Sequence, residues 1–196
     1  MWIGSWEEGL FRVKADGTIE NFKYNAKDPH SLSSNFVRAC CEDNLGNIWI
    51  GTFNGLNRYN KITGLFQNHT ANDTQADGLT HSSIWCIVKD NQGTLWLGTY
   101  FGGVNYFNPE YEIYTRYSYS SNEKKGLSNP VVGRTIEDRD GNLWIGTEGG
   151  GLNYYNRRTR EFKWYRPQEG RNSISHNNVK ALYYDADKEI IWIGTH

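Results

Sequence analysis

Proline, cysteine and methionine are scarce in this chain, at 4, 3 and 1 of its 196 residues. A proline-rich linker is therefore excluded, and so is a disulfide-dense framework. Cys40, Cys41 and Cys86 fit neither a CxxC nor a metal-ligand spacing and are read as buried free thiols. Charge of one sign is also missing, since 21 Lys and Arg face 22 Asp and Glu for a net charge of -1. Bulk attraction to nucleic acid or to an acidic membrane surface is thereby excluded. No apolar run approaches the roughly 18 residues that cross a bilayer. The first eight residues have neither a basic nor an apolar leader segment, so no address is expected in that stretch. What the chain does have is aromatic rings and glycine. There are 8 Trp, 13 Tyr, 8 Phe and 21 Gly, and each large ring can bury about 150 to 250 Å². A mean hydropathy of -0.74 thus coexists with ample core material, in polar loops around an aromatic interior.

A phrase recurs five times: Trp2-Ile3-Gly4-Ser5, Trp49-Ile50-Gly51-Thr52, Trp96-Leu97-Gly98-Thr99, Trp144-Ile145-Gly146-Thr147 and Trp192-Ile193-Gly194-Thr195. Its tryptophans are 47, 47, 48 and 48 residues apart. An acidic residue precedes the phrase at Asp43, Asp90, Asp138 and Asp185, with a turn glycine at Gly46, Gly93 and Gly141. A Gly-apolar pair follows, then Asn57, Asn105 or Asn153 with an aromatic two residues on. Self-similarity at a period in the forties is the mark of stacked repeat units.

Each unit reads as four short strands. In one, Ile84 to Asp90 alternates apolar residues, Thr94 to Thr99 follows a glycine turn, Val104 to Phe107 comes next and Ile113 to Tyr117 closes the set. A long polar return then leads to the next unit. The fold class expected is all-β: β-propeller blades, each a four-stranded antiparallel meander, in a partial propeller of about four blades. The chain divides into strands B, C and D of a partial blade over 1–30, blades over 31–78, 79–126 and 127–173, and strands A and B of a partial blade over 174–196. In this reading the indole lies between adjacent blades with its N–H on a backbone acceptor. The Asp before the turn accepts turn N–H groups.

The unit Val132 to Asp138, Gly141 to Thr147 and Gly150 to Asn156, with the lead-in Gly126-Leu127-Ser128-Asn129, resembles the two-component regulator propeller repeat. The resemblance extends over essentially the whole chain. It implies a segment of the sensory region of a Bacteroidetes-type hybrid sensor histidine kinase, lying in the periplasm. Many such kinases detect oligosaccharides, so an oligosaccharide ligand and further propeller repeats of a parent chain are implied as partners. The kinase activity would belong to the parent and not to this segment.

Enzymatic motifs are lacking: there is no HExxH, GxSxG or phosphate loop. No cofactor and no metal are expected. Asp138-Arg139-Asp140-Gly141 is only faintly similar to a calcium loop, and its counterparts in other units do not keep the pattern. His30, His69, His81 and His176 read as solvated or capping groups. Because the scaffold repeats, departures from the repeat are the better candidates for ligand contact. In the connections between strands B and C these are Trp6, Glu7, Glu8, Phe53, Asn54, Tyr100, Phe101 and Glu148. At the start of strand A they are Arg38, Trp85, Arg134 and Lys180. Aromatic faces beside Arg and Glu suit a sugar, the ring stacking on C–H groups and the charges bonding hydroxyls. Two other functions fit a propeller: an enzyme such as a polysaccharide lyase or glycosidase, or a protein-interaction module. The strand count at the two ends predicts an open arc, or a homodimer closed by terminal strand exchange. No contact of this segment with nucleic acid or membrane is expected.

Overall fold

Short apolar runs between glycine turns become five antiparallel sheets in the computed structural model, which describes residues 1–71, 78–111 and 113–196. The first sheet holds β1 (Trp2–Gly4), β2 (Leu10–Val13) and β3 (Ile19–Phe22). The second holds β4 (Val37–Glu42), β5 (Ile48–Thr52), β6 (Gly55–Tyr59) and β7 (Phe66–His69). The third holds β8 (Ile84–Lys89), β9 (Leu95–Thr99), β10 (Val104–Asn108) and β11 (Ile113–Tyr117). In the fourth are β12 (Val132–Glu137), β13 (Leu143–Thr147), β14 (Leu152–Asn156) and β15 (Glu161–Tyr165), and in the fifth β16 (Val179–Asp185) and β17 (Ile190–Thr195). Every sheet is a meander whose strands pair in chain order. Successive sheets stack, with β4 against β8, β8 against β12 and β12 against β16. This is the propeller arrangement expected from the repeat.

Three motif positions explain why the phrase repeats. The first is the acidic residue. In Asp43, Oδ1 accepts the N–H groups of Leu45 and Asn47 at 2.9 Å each, and Oδ2 accepts the indole N–H of Trp49 at 2.7 Å. Asp90 with Trp96 (2.8 Å) and Asp138 with Trp144 (3.0 Å) repeat the bond. The expected backbone acceptor for the indole is therefore corrected: the turn aspartate does both jobs, because one carboxylate has enough lone pairs for the turn and the ring. The rings do lie between sheets, Trp49 at 5.0 Å from Phe107 and Trp96 at 6.0 Å from Tyr155.

The second position is the strand-C asparagine, fully buried at Asn57, Asn105 and Asn153. Asn105 accepts from the Thr80 N–H at 3.1 Å and donates to Thr80 Oγ1 at 2.8 Å. Asn57 does the same with Ser33, and Asn153 with Ser128. A buried amide must find partners, so the lead-in Ser or Thr is its obligatory counterpart and ties the return loop to the middle of the blade. The third is the glycine of the phrase. A Cβ at Gly98 would lie 2.7 Å from Val132 Cγ1, and one at Gly146 2.6 Å from Val179 Cγ1. The space is taken by the β-branched residue that opens the next sheet. Gly103 has φ of +75° and a Cβ there would sit 2.2 Å from the Tyr117 carbonyl oxygen, so both conformation and contact require glycine.

The fifth sheet departs from this pattern. Trp49 and Trp96 are 0% and 2% exposed, while Trp192 is 58% exposed. A Cβ at Gly194 would meet only Ala181 of its own sheet, so the far face of this sheet is uncovered. The cysteine expectation is also corrected in part. Cys86 is buried, but Cys41 is half-buried and Cys40 is exposed. Consecutive residues of a strand point to opposite faces; Cys41 faces the cluster around Trp49, and Cys40 faces away from it.

Candidate functional site

Each strand A begins with the same irregularity. Register shifts fall between Val37 and Ala39, Ile84 and Cys86, Val132 and Arg134, and Val179 and Ala181. A bulge leaves its extra residue out of the ladder and re-aims its side chain. The residues so placed are Arg38, Trp85, Gly133 and Lys180. Strand A is the innermost strand of its sheet, so these positions converge on a central cavity of about 600 Å³ lined from all five sheets. That volume is within the range of small-molecule sites.

Six of the twelve residues singled out from the sequence stand on its wall: Trp6, Arg38, Trp85, Arg134, Glu148 and Lys180. Four aromatic and cationic groups form a column. The Arg38 guanidinium carbon lies 4.6 Å from the Trp6 ring centre and 4.3 Å from that of Trp85. Trp85 in turn stacks on Tyr100 at 5.1 Å with 14° between planes. Cation–π contacts of this kind contribute roughly 0.5 to 2 kcal/mol each. Stacking fixes Arg38 without satisfying it, because Arg38 Nε and Trp85 Nε1 are buried with no hydrogen-bond partner among the described residues. Burial lowers the Arg38 pKa, and the neighbouring Glu148 works against that shift; a guanidinium stays charged regardless. Glu148 itself pairs with Lys180 at 2.6 Å. Arg134 donates from Nη1 to the carbonyl oxygen of Gly133 at 3.1 Å.

The other candidates lie elsewhere. Phe101 packs on Tyr100 at 4.3 Å and is exposed outside the cavity, and exposed Phe53 is 6.2 Å from Phe36. Asn54 bonds through its backbone N–H to Thr52 Oγ1 as a turn residue. Glu8 forms an ion pair with Lys23, and Glu7 is exposed to solvent. Glu148 is thus the acidic residue of the cavity lining. His81 and His176 accept the N–H groups of Ser83 and Asn178 through Nδ1 at 3.0 Å, closing the turns that enter strand A.

Sequence reasoning missed Gly133. It put Arg134 beside Arg38, Trp85 and Lys180, but Arg134 pairs with Gly146 inside the ladder and Gly133 is the true counterpart. The available signal was the position directly after the β-branched residue Val37, Ile84, Val132 or Val179. A glycine there leaves a gap in the wall, and a Cβ at Gly133 would make only ordinary contact, 3.4 Å from the Val179 carbonyl oxygen.

Comparison with known proteins adds the following. Residues 31–54, 78–101, 126–149 and 173–196 each match the family described as two component regulator propeller. The extracellular domain assigned to a hybrid two-component system of B. thetaiotaomicron is similar over 100% of the chain, at 25% identity and a TM-score of 0.78. A second such domain from the same organism is similar over 99% of the chain, at 22% identity and a TM-score of 0.55. The chain spans 27% and 30% of those two proteins. Virginiamycin B lyase from Staphylococcus aureus shares the fold at 13% identity and a TM-score of 0.69, over 98% of this chain and 58% of the lyase. No curated protein matches the chain.

Proposed function

The chain carries four repeats of the two-component regulator propeller family, and from that premise we propose that it is an extracytoplasmic sensory segment of a membrane-bound sensor whose central cavity binds an oligosaccharide. The observation that carries the ligand part is the cavity wall. A repeat that is otherwise uniform puts four different residues, Arg38, Trp85, Gly133 and Lys180, at one bulge position facing one cavity. Packing alone gives no reason for that variation, since the same backbone accepts arginine, tryptophan, glycine and lysine. Trp6, at the exposed end of the column, supplies a flat apolar face for a sugar ring, and Glu148 with the cations supplies hydroxyl partners.

The role is binding without turnover. Glu148 is tied to Lys180, and Glu7 and Glu8 are not on the cavity wall, so among the described residues no pair of carboxylates stands ready there for acid–base cleavage. Occupancy would then be passed to a kinase output in the parent protein. Calorimetry of the chain against a panel of neutral and acidic oligosaccharides tests this. The expected result is micromolar binding of at least one sugar, loss of that binding in Gly133→Trp, which fills the gap in the wall, and recovery of the sugar unchanged. Release of shortened products would instead favour a propeller enzyme. No binding by any sugar, with capture of a defined protein partner, would favour an interaction module.

A further inference from the structure

We propose that the ligand of the central cavity is an acidic sugar bearing a carboxylate or sulfate group, received by the two arginines of its wall, Arg38 and Arg134. This rests on the sugar-binding reading above and narrows it to a chemical class. The cavity wall holds three cations, Arg38, Arg134 and Lys180, against one carboxylate, Glu148. Glu148 is already paired with Lys180. Two positive charges are left over in a chain whose net charge is -1, so the surplus is local and not a reflection of general basicity.

The two remaining cations have little else to do. Arg38 has no hydrogen bond or ion pair among the described residues, and its Nε is buried without a partner. Arg134 is exposed, and its one hydrogen bond to the protein goes to the adjacent Gly133 carbonyl oxygen. Arg38 is half-buried, and its neighbouring carboxylate, Glu148, is already bonded to Lys180, so an added anion complements the guanidinium well. A sugar hydroxyl both donates and accepts, whereas a guanidinium only donates. A carboxylate or sulfate only accepts, through two or three oxygens, and matches the guanidinium fork. Stacking between Trp6 and Trp85 holds Arg38 in place before the ligand arrives, which lowers the ordering cost of binding. The arrangement is therefore an anion receptor with Trp6 beside it for the sugar ring that carries the anion.

The test uses the 196-residue chain with four probes: galacturonic acid trimer, its full methyl ester, a sulfated disaccharide and the unsulfated form of that disaccharide. Trp6 and Trp85 report occupancy by fluorescence, and calorimetry gives the affinity. Binding of an acidic probe at least tenfold tighter than its neutral partner, weakened by raising salt from 50 to 200 mM as an ionic contact requires, is the expected outcome. The first pair of probes reads a carboxylate and the second a sulfate. Arg134→Gln, on an exposed position, and Arg38→Gln should each lose at least tenfold for the acidic probe and little for the neutral one. If Arg38→Gln does not fold, Arg134→Gln carries the test. Equal or tighter binding of the neutral probes overturns the acidic class and leaves the sugar reading standing. Absence of binding by all four probes and by the wider sugar panel overturns both.

Discussion

The two ends of strand A obey opposite rules. At its far end, where the strand turns into strand B, Asp43, Asp90 and Asp138 repeat one geometry with their tryptophans to within 0.3 Å. At its start, the bulge keeps its backbone geometry from sheet to sheet while its side chain changes every time. Where the side chain repeats, it holds blades together; where only the backbone repeats, the scaffold has freed a position for something other than folding. The difference separates frame from site within one strand of six or seven residues.

The largest effects should come from breaking the frame. Trp96→Ala removes a ring buried between two sheets and is expected to cost about 4 kcal/mol, whereas Trp192→Ala, at the exposed equivalent, should cost under about 1 kcal/mol. Equal losses in urea unfolding would show that stacking is not what makes the phrase necessary. Asp90→Ala strands an indole N–H and the turn N–H groups of Gln92 and Thr94, and it also removes the ion-pair partner of Arg157. Its expected cost is about 3 kcal/mol. Asn105→Ala should cost about 2 kcal/mol by leaving Thr80 unpaired. A loss below 0.5 kcal/mol in denaturant melts would remove the lead-in from the frame.

Acid should weaken the frame through Asp43. Burial pushes the Asp43 carboxyl up, but hydrogen bonds from Asn47, Trp49 and Leu45 outweigh it and hold the group below its ordinary value of 3.8. A depressed folded-state pKa gives stability that is complete above the unfolded value and lost as pH falls through the folded one. Unfolding curves below pH 4 should therefore be flatter for Asp43→Asn than for the parent; parallel curves would deny Asp43 that role. The smallest stability effects belong to the wall. Arg134→Gln should stay within about 0.5 kcal/mol of the parent while weakening ligand, and a destabilisation matching Asn105→Ala would make the wall part of the frame.

The frame was legible in the sequence because its side chains recur with the period: the spacing of Trp, Asp and Asn is the spacing of the sheets. Strand Ile113–Tyr117 was readable to the residue. The indole's acceptor was not, because a period cannot say whether Asp43 satisfies the turn, the ring or both. The site was half legible. Departures from the repeat marked Arg38, Trp85 and Lys180, but the bulge shifts the ladder by one residue and made Arg134 look like their equivalent when Gly133 is. A glycine contributes to a cavity by what it leaves open, and composition carries no signal for that. Phe53 and Phe101 were selected by the same reasoning as Trp6, yet they face solvent outside the cavity, since which side of a loop an aromatic takes depends on neighbours from another blade.

The most direct test of the central claim is a crystal structure of the chain grown with the galacturonic acid trimer. A carboxylate within hydrogen-bond distance of Arg38, with its sugar ring against Trp6, is the expected result. A trimer bound at the outer loops with the central cavity empty would contradict it.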